Sequence, residues 1–471
     1  MIRRFDPLAG IYMNRLFICI AVCFAALSIS SGQSKQEKQL TKVLDDLLSA
    51  QFKPGAPGCA VLIAKKGEVV YQKGFGYADL ELNVPVRPEM IFRIGSVTKQ
   101  FTAVAILQLV EQGKISVKDS IQKFIPDFPS KGQTITIENL LTHTSGITEY
   151  TQLNIPDPFI RRKDLTPDEI IRYFKDLPLE FRPGSKFKYS NTGYFLLGVV
   201  IERVTKKSYK DYMQQNIIIP LGLTHTYYDD ASQVIPNRAK GYKMGGNTFE
   251  NAEYESATIS FAAGALISNN ADLYKWNRAL HSHSVVRKET LETALTPFKL
   301  TDGTESPYGF GWFIIEMDGS QSVQHGGSIN GFKSNEIYFP AEDVFVSTLF
   351  NCECAPMDEV SEQLAFLALG KVPPGKKGIE VEESIMNSYA GKYVFPGDPN
   401  RPIIVSKENG QLYAGVPGEW KAPLIALSKT KFDIKDIRPP GTIDFIADPS
   451  GKIVRLITTQ SGKQYEGTKT E

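Results

Sequence analysis

One stretch of the chain is apolar on every side. In RIGSVTKQFTAVAILQLVEQGK (93–114), Phe101, Val104, Ile106, Leu107, Leu109 and Val110 leave no polar stripe, and Ala103 and Ala105 fill the gaps. A helix with that pattern is predicted to lie inside a large domain. Its first turn nevertheless carries Ser96 and Lys99, which burial penalises unless they find partners. Around it the pattern changes period. Residues 36–52 read as an amphipathic helix, and 58–78 as two strands turning at Lys66-Gly67. From about 115 to 300 the chain reads as mostly helical with intervening loops, including TIENLLTHTSGI (136–147) and NTGYFLLGVVIERV (191–204). Strand pattern returns over 325–351 with a turn near Pro340 to Asp343, and SEQLAFLAL (361–369) reads as a closing helix.

Strands at both ends with helices between them imply one sheet whose first and last strands meet, plus a helical lobe inserted in sequence. A cleft between sheet and lobe is a favoured place for a site. The run GKVPPGKKG (370–378) has linker composition, which sets a linker at 371–379. Beyond it, 380–471 alternates and turns in short strands, as a small antiparallel β unit would.

Composition narrows the class. With 471 residues, 42% hydrophobic and 22% charged, the chain has the material for one large domain and a smaller one. A net charge of +1, with no basic stripe, argues against nucleic acid and for a small-molecule or peptide substrate. Leu16 to Ile29 is apolar, follows Arg15 and runs into Ser30, Ser31 and Gly32, the pattern of a secretory signal peptide. The leader is set at 1–32, with 1–12 an upstream extension before Met13. The expectation is a periplasmic or secreted protein with no stable membrane span after cleavage. Three cysteines beyond the leader, Cys59, Cys352 and Cys354, are too few for a disulfide framework. They read as small core residues, with a bridge from Cys59 to one of the other two as the alternative.

Three short motifs carry chemistry. Ser96 and Lys99 lie three apart, on one helical face. A serine hydroxyl needs a base to take its proton, and an amine becomes that base when burial disfavours its charged form. Ser-x-x-Lys also begins at Ser120, Ser185 and Ser428, so what distinguishes Ser96 is the buried helix behind it. In KYSNTGYF, Tyr189 can shuttle a proton to a leaving group and Asn191 can orient substrate, or Asn191 can be a plain helix N-cap. In QHGGSINGF, His325 precedes Gly326 and Gly327, which let a strand lie close to substrate, and a backbone N–H beyond them can complete an oxyanion hole. Of the other histidines, His143 is expected to pack or cap a loop, and His281 and His283 to sit in surface loops. Tyr308, Phe310 and Trp312 alternate as a core strand would, with one face toward the cleft.

These motifs, in this order and spacing, resemble the serine β-lactamase and penicillin-recognising family, in particular its class C-like branch of class C β-lactamases, D-Ala-D-Ala carboxypeptidases, D-aminopeptidases and esterases. The resemblance covers about 36–370, supported by LLTHTSGI (140–147), FRPGSKFKYSNTGY (181–194), AAGALISNNADLYKW (262–276) and YGFGW (308–312). It implies an α+β fold of the β-lactamase/transpeptidase type: a mixed antiparallel sheet flanked by helices, a helical lobe, and then the small β-barrel-like domain. It implies acylation of Ser96, proton management by Lys99 and Tyr189, substrate contact by Asn191, and an oxyanion hole from the N–H groups of Ser96 and Ser328. It implies no metal or organic cofactor. Where β-lactamases carry Lys-Thr-Gly, this chain has His325-Gly326-Gly327, without the cation and hydroxyl that hold a substrate carboxylate. Each such charge-assisted bond is worth about 1.5–3 kcal/mol, so esters, amides and N-terminal D-amino acid peptides become the expected substrates. His325 is expected to recover positive charge at lower pH. A β-lactamase or D-Ala-D-Ala carboxypeptidase is the alternative, and a non-turnover penicillin-binding or scaffold protein is the alternative of another class. The tail (380–471) resembles C-terminal β domains of D-aminopeptidase-like and esterase-like members. It reads as a stabilising lid, or as one whose loop 415–420 limits substrate size.

Overall fold

The structure, a computed structural model, describes residues 38–471 apart from 156, 158, 372, 374–380, 409, 436–440, 449, 461–462 and 471. The expected leader and most of the expected linker therefore lie outside the described residues. The chain divides between Lys371 and Val372 into two compact units.

The first unit is built on six strands: β1 (Cys59–Lys65), β2 (Glu68–Phe75), β3 (Phe313–Met317), β4 (Ser320–Ile329), β5 (Phe332–Phe339) and β6 (Val344–Phe350). They lie in the order β3-β4-β5-β6-β1-β2, each neighbouring pair antiparallel. Cys59 faces Phe350 and Lys65 faces Val344, so the first and last strands do meet. β6 is buried along its whole length and β1 up to Ala64, as continuous apolar runs require. On one face Val61, Ile63, Ile337, Phe339 and Val346 pack with Leu44 and Leu48 of a helix over 38–51. The closing helix adds Leu364 to this layer and begins at Met357, earlier than expected.

The other core holds the helical lobe, with α1 (Thr98–Glu111), α2 (Asn191–Thr205), α3 (Ala257–Gly264) and α4 (Asn270–His281). As its pattern predicts, α1 is buried apart from Gln108, Val110 and Glu111, and Phe101 stacks on Trp276 of α4 at 4.1 Å. Three expectations fail here. Tyr308, Phe310 and Trp312 do not form a strand: they are buried in a turn with a single bridge from Tyr308 to Phe313. Gly309 permits that turn, since a Cβ there would stand 2.1 Å from the Ala294 carbonyl oxygen. Cys352 and Cys354 bond to each other in the segment after β6, and among the described residues only Cys59 is a free core thiol. His281 ends α4 rather than sitting in a loop: its ring packs 4.3 Å from that of Tyr338, and burial pulls its pKa down to about 4.

The second unit is a closed antiparallel barrel of eight strands, from Gly391–Phe395 to Lys463–Lys469, preceded by the helix Glu383–Tyr389. The first and last strands close it, with Tyr393 opposite Lys469. Leu412, Ala414, Leu424, Phe432, Ile443, Phe445 and Leu456 fill the interior, and Tyr389 stacks on Phe445 at 4.2 Å. Loop 415–420 includes the turn between the strands Gln411–Val416 and Trp420–Ala426, with Glu419 paired to Arg401.

Candidate active site

Ser96 sits in the single 3₁₀ turn Gly95–Val97 that leads into α1, not in the α-helix itself. Gly95 and Val97 are buried while Ser96 is half-exposed, so the turn presents the hydroxyl to a cavity of about 310 Å³. Its lining includes Ser96, Tyr150, Arg161, Asn191, Glu255, Ser260, Ala263, Ser328, Asn330 and Glu353. The sheet reaches this turn because β3 ends early: Phe313 pairs with Gln324, and β4 beyond Gln324 has no partner on that side. Two glycines make the approach close enough. A Cβ on Gly327 would lie 2.1 Å from the Ile94 carbonyl oxygen, and one on Gly95 (φ +48°) 3.0 Å from the Ser328 nitrogen.

Lys99, in the first turn of the buried helix, is 0% exposed. Its Nζ lies 3.0 Å from Ser96 Oγ, 2.8 Å from Asn191 Oδ1 and 2.9 Å from the Ala263 carbonyl oxygen. Burial lowers its pKa to about 7, against a smaller opposing pull from Glu149. This geometry assigns the protons of the neutral amine. Asn191 Oδ1 and the Ala263 oxygen only accept, so they take its two N–H donors, and the lone pair is left facing the serine hydroxyl. Ala263 is available because α3 breaks at Phe261 (φ 40°), a conformation that non-glycine residues rarely hold except at functional sites.

Tyr189 closes the cluster. Lys99 Nζ stands 4.9 Å from its ring centre. Burial raises the phenol's pKa above the tyrosine range, while the nearby Ser96 hydroxyl works the other way. The phenol oxygen is sealed from solvent without a well-formed hydrogen bond among the described residues. Asn191 is the first residue of α2 and not its cap: Ser190 holds the cap position without a side-chain bond. The free N–H groups of Asn191 and Thr192 are taken at 2.6 and 3.4 Å by Glu149, a buried carboxylate that also accepts from Thr151.

His325 departs from expectation. It is 1% exposed and, like Gly326 and Gly327, is not among the cavity-lining residues. Burial pulls its pKa to about 3, so it stays neutral and does not regain charge at mildly acid pH. Nδ1 lies 2.6 Å from the Gly326 carbonyl oxygen and must carry the proton, so Nε2 accepts from Tyr308 Oη at 2.8 Å. Tyr308 packs edge-on against Tyr189, and His143 lies on the Tyr189 ring at 4.3 Å while its Nδ1 accepts from Ser190 N–H. Two neutral histidines and a tyrosine thus back the phenol. Gly326 faces Met357 instead of the cavity.

Sequence reasoning missed Glu149, the Phe261 break and the Arg161–Glu255 pair in the cavity wall, where guanidinium and carboxylate meet at 2.5 Å. Glu149 follows the THTSGIT run directly, but nothing local marks it as the cap of a helix starting at Asn191. Among the described residues, no group of three or more His, Cys, Asp or Glu could hold a metal ion, and no helix is long and apolar enough to cross a membrane.

Sheet, lobe and the Ser–Lys–Tyr cluster together define a β-lactamase/transpeptidase fold. The Beta-lactamase family model matches residues 39–369, and the chain belongs to that family. Penicillin-binding protein 4* of Bacillus subtilis (strain 168) is 27% identical over 439 residues, 87% of this chain and 94% of that protein. Among solved structures, an octameric penicillin-binding protein homologue from Pyrococcus abyssi matches with a TM-score of 0.65 and 26% identity, covering 91% of this chain and 99% of that one. A D-stereospecific amidohydrolase from Streptomyces sp. matches at 0.61 and 26%, covering 69% and 98%.

Proposed function

We propose that the chain is an exported serine hydrolase that cleaves an ester or amide, D-amino-acid peptides included, through an acyl-enzyme on Ser96. The observation that carries this reading is the buried Lys99 Nζ, 3.0 Å from Ser96 Oγ. Lys99 takes the hydroxyl proton as Oγ bonds to the substrate carbonyl carbon. The N–H groups of Ser96 and Ser328 receive the developing oxyanion. The bond to the leaving group breaks, and Tyr189, kept protonated by burial, passes a proton to the departing oxygen or nitrogen, replaced from Lys99. Water then attacks the acyl carbon, returns its proton through the same pair and frees Ser96. D-amino-acid substrates draw support from the Streptomyces amidohydrolase, and a neutral, buried His325 argues against carboxylate-bearing β-lactams. Export rests on the leader Leu16–Ile29.

The test is fluorophosphonate labelling beside turnover of p-nitrophenyl acetate. Labelling and steady release of p-nitrophenol, both lost in Ser96→Ala, support the reading. Labelling that survives Ser96→Ala overturns it, and stoichiometric labelling without turnover favours a non-turnover binder. Nitrocefin hydrolysis much faster than ester hydrolysis would reverse the substrate ranking.

A further inference from the structure

The cavity's fixed charges do not cancel. Arg161, Glu255 and Glu353 line it, and Arg161 is held by Glu255 through two nitrogens at 2.5 and 2.7 Å. Glu353 has no such partner: among the described residues no salt bridge reaches it, and its carboxylate accepts a hydrogen bond from Gly331 N–H at 2.8 Å. Lys243, whose charged form Glu353 helps to favour only weakly, already pairs with Glu253 at 3.1 Å and Glu250 at 4.0 Å. On the β4 side the position of the family's lysine is filled by His325, turned away into the aromatic cluster. The site therefore lacks the cation that would hold a carboxylate and presents an anion instead.

Glu353 is also held in place. It lies between the disulfide-bonded Cys352 and Cys354, its N–H donates to the Tyr242 carbonyl at 3.0 Å, and Cys352 is buried. A three-residue covalent ring leaves the backbone few alternatives, which reduces the ordering cost when a ligand binds.

We propose that Glu353 is a specificity-determining residue that receives an ammonium group of the substrate, such as the free α-amino group of an amino acid amide, ester or peptide, and that the Cys352–Cys354 disulfide fixes it for that purpose. This rests on the hydrolase reading only in taking the cavity beside Ser96 as the substrate site.

The test is calorimetric binding to the Ser96→Ala protein at pH 7.5, where an α-amino group with an ordinary pKa of about 7.7–8.0 is still mostly protonated. The ligands are D-phenylalaninamide and D-phenyllactamide, in which a hydroxyl replaces the ammonium. The expected preference for the amine is about tenfold. It falls to within about twofold in Ser96→Ala/Glu353→Gln, whose amide oxygen still accepts from Gly331, and in Ser96→Ala after reduction of the disulfide. Glu353→Asp, which keeps the charge, retains part of it. Equal binding of both ligands, or a preference that survives Glu353→Gln, overturns the proposal, and one that survives reduction removes the disulfide's part. Turnover is read separately on wild-type protein with D-phenylalanine p-nitroanilide. No turnover of either this anilide or p-nitrophenyl acetate, with the binding preference intact, sinks the hydrolase reading and leaves this one standing.

Discussion

The two units bury different things. In the barrel, Leu412, Phe432, Ile443, Phe445 and Leu456 fill the interior, and among the described residues no charged side chain there is fully buried; the buried Tyr393 hydroxyl donates to the Tyr389 carbonyl at 2.8 Å. In the first unit Lys99, His143, Glu149, Ser190, Thr192 and His325 are all buried, gathered behind one cavity. An unpartnered buried polar group costs about 1–3 kcal/mol; among the described residues His143 Nε2, Tyr189 Oη and Ser190 Oγ carry that cost, while other members of the cluster are matched. Here the matches are particular: Lys99 to Asn191 and Ala263, Glu149 to the start of α2, His325 to Tyr308. The barrel core is almost wholly apolar; the first unit accepts the cost of buried polar groups beside its cavity.

The largest effect that would test this contrast is loss of the nucleophile. Ser96→Ala is expected to lower kcat for p-nitrophenyl acetate by about 10³–10⁶-fold, and residual turnover near wild type would put the chemistry elsewhere.

Lys99→Met should abolish most activity while changing stability with a definite pH signature. The amine's folded pKa, about 7, lies below its unfolded value, so wild type is destabilised as pH falls from about 10 to 7, where the unfolded chain binds the extra proton. Methionine does not titrate. Its stability relative to wild type should therefore be greater at pH 6 than at pH 9.5 by ~3 kcal/mol in chemical denaturation. A pH-independent difference would mean that Lys99 is not strongly perturbed.

Tyr189→Phe is expected to reduce kcat by about 10²–10⁴-fold while Ser96 still takes a fluorophosphonate label; unchanged kcat would remove the tyrosine from proton transfer. Smallest in its effect on chemistry is Leu412→Ala. It should destabilise the barrel by about 2–5 kcal/mol yet leave the pH midpoint of Ser96 acylation where it was. A moved midpoint would show that the barrel's interior is not indifferent to the site.

Much of this was legible in the chain, for physical reasons. α1 was readable because an all-round apolar helix has few alternatives, and β1 and β2 because two strand-like runs meeting at the Lys66-Gly67 turn are a local signal. Ser96, Lys99, Tyr189 and Asn191 were readable because their motifs sit at element boundaries. His325 was misjudged because a residue's position in a strand does not show which way the ring turns once Tyr308 offers it a hydroxyl. The Glu149 cap and the break at Phe261 were hidden for a related reason. Each depends on where a distant segment passes, and no local pattern records that.

The most direct measurement is the pH dependence of the rate at which Ser96 is acylated, followed by peptide-mapped fluorophosphonate labelling or by kcat/KM on a neutral ester. A rate that rises with pH to a plateau, with a midpoint near 7 that disappears in Lys99→Met, is the predicted result. A midpoint near 10, the ordinary range of an exposed lysine, would show the amine still charged at neutral pH and so unable to serve as the base.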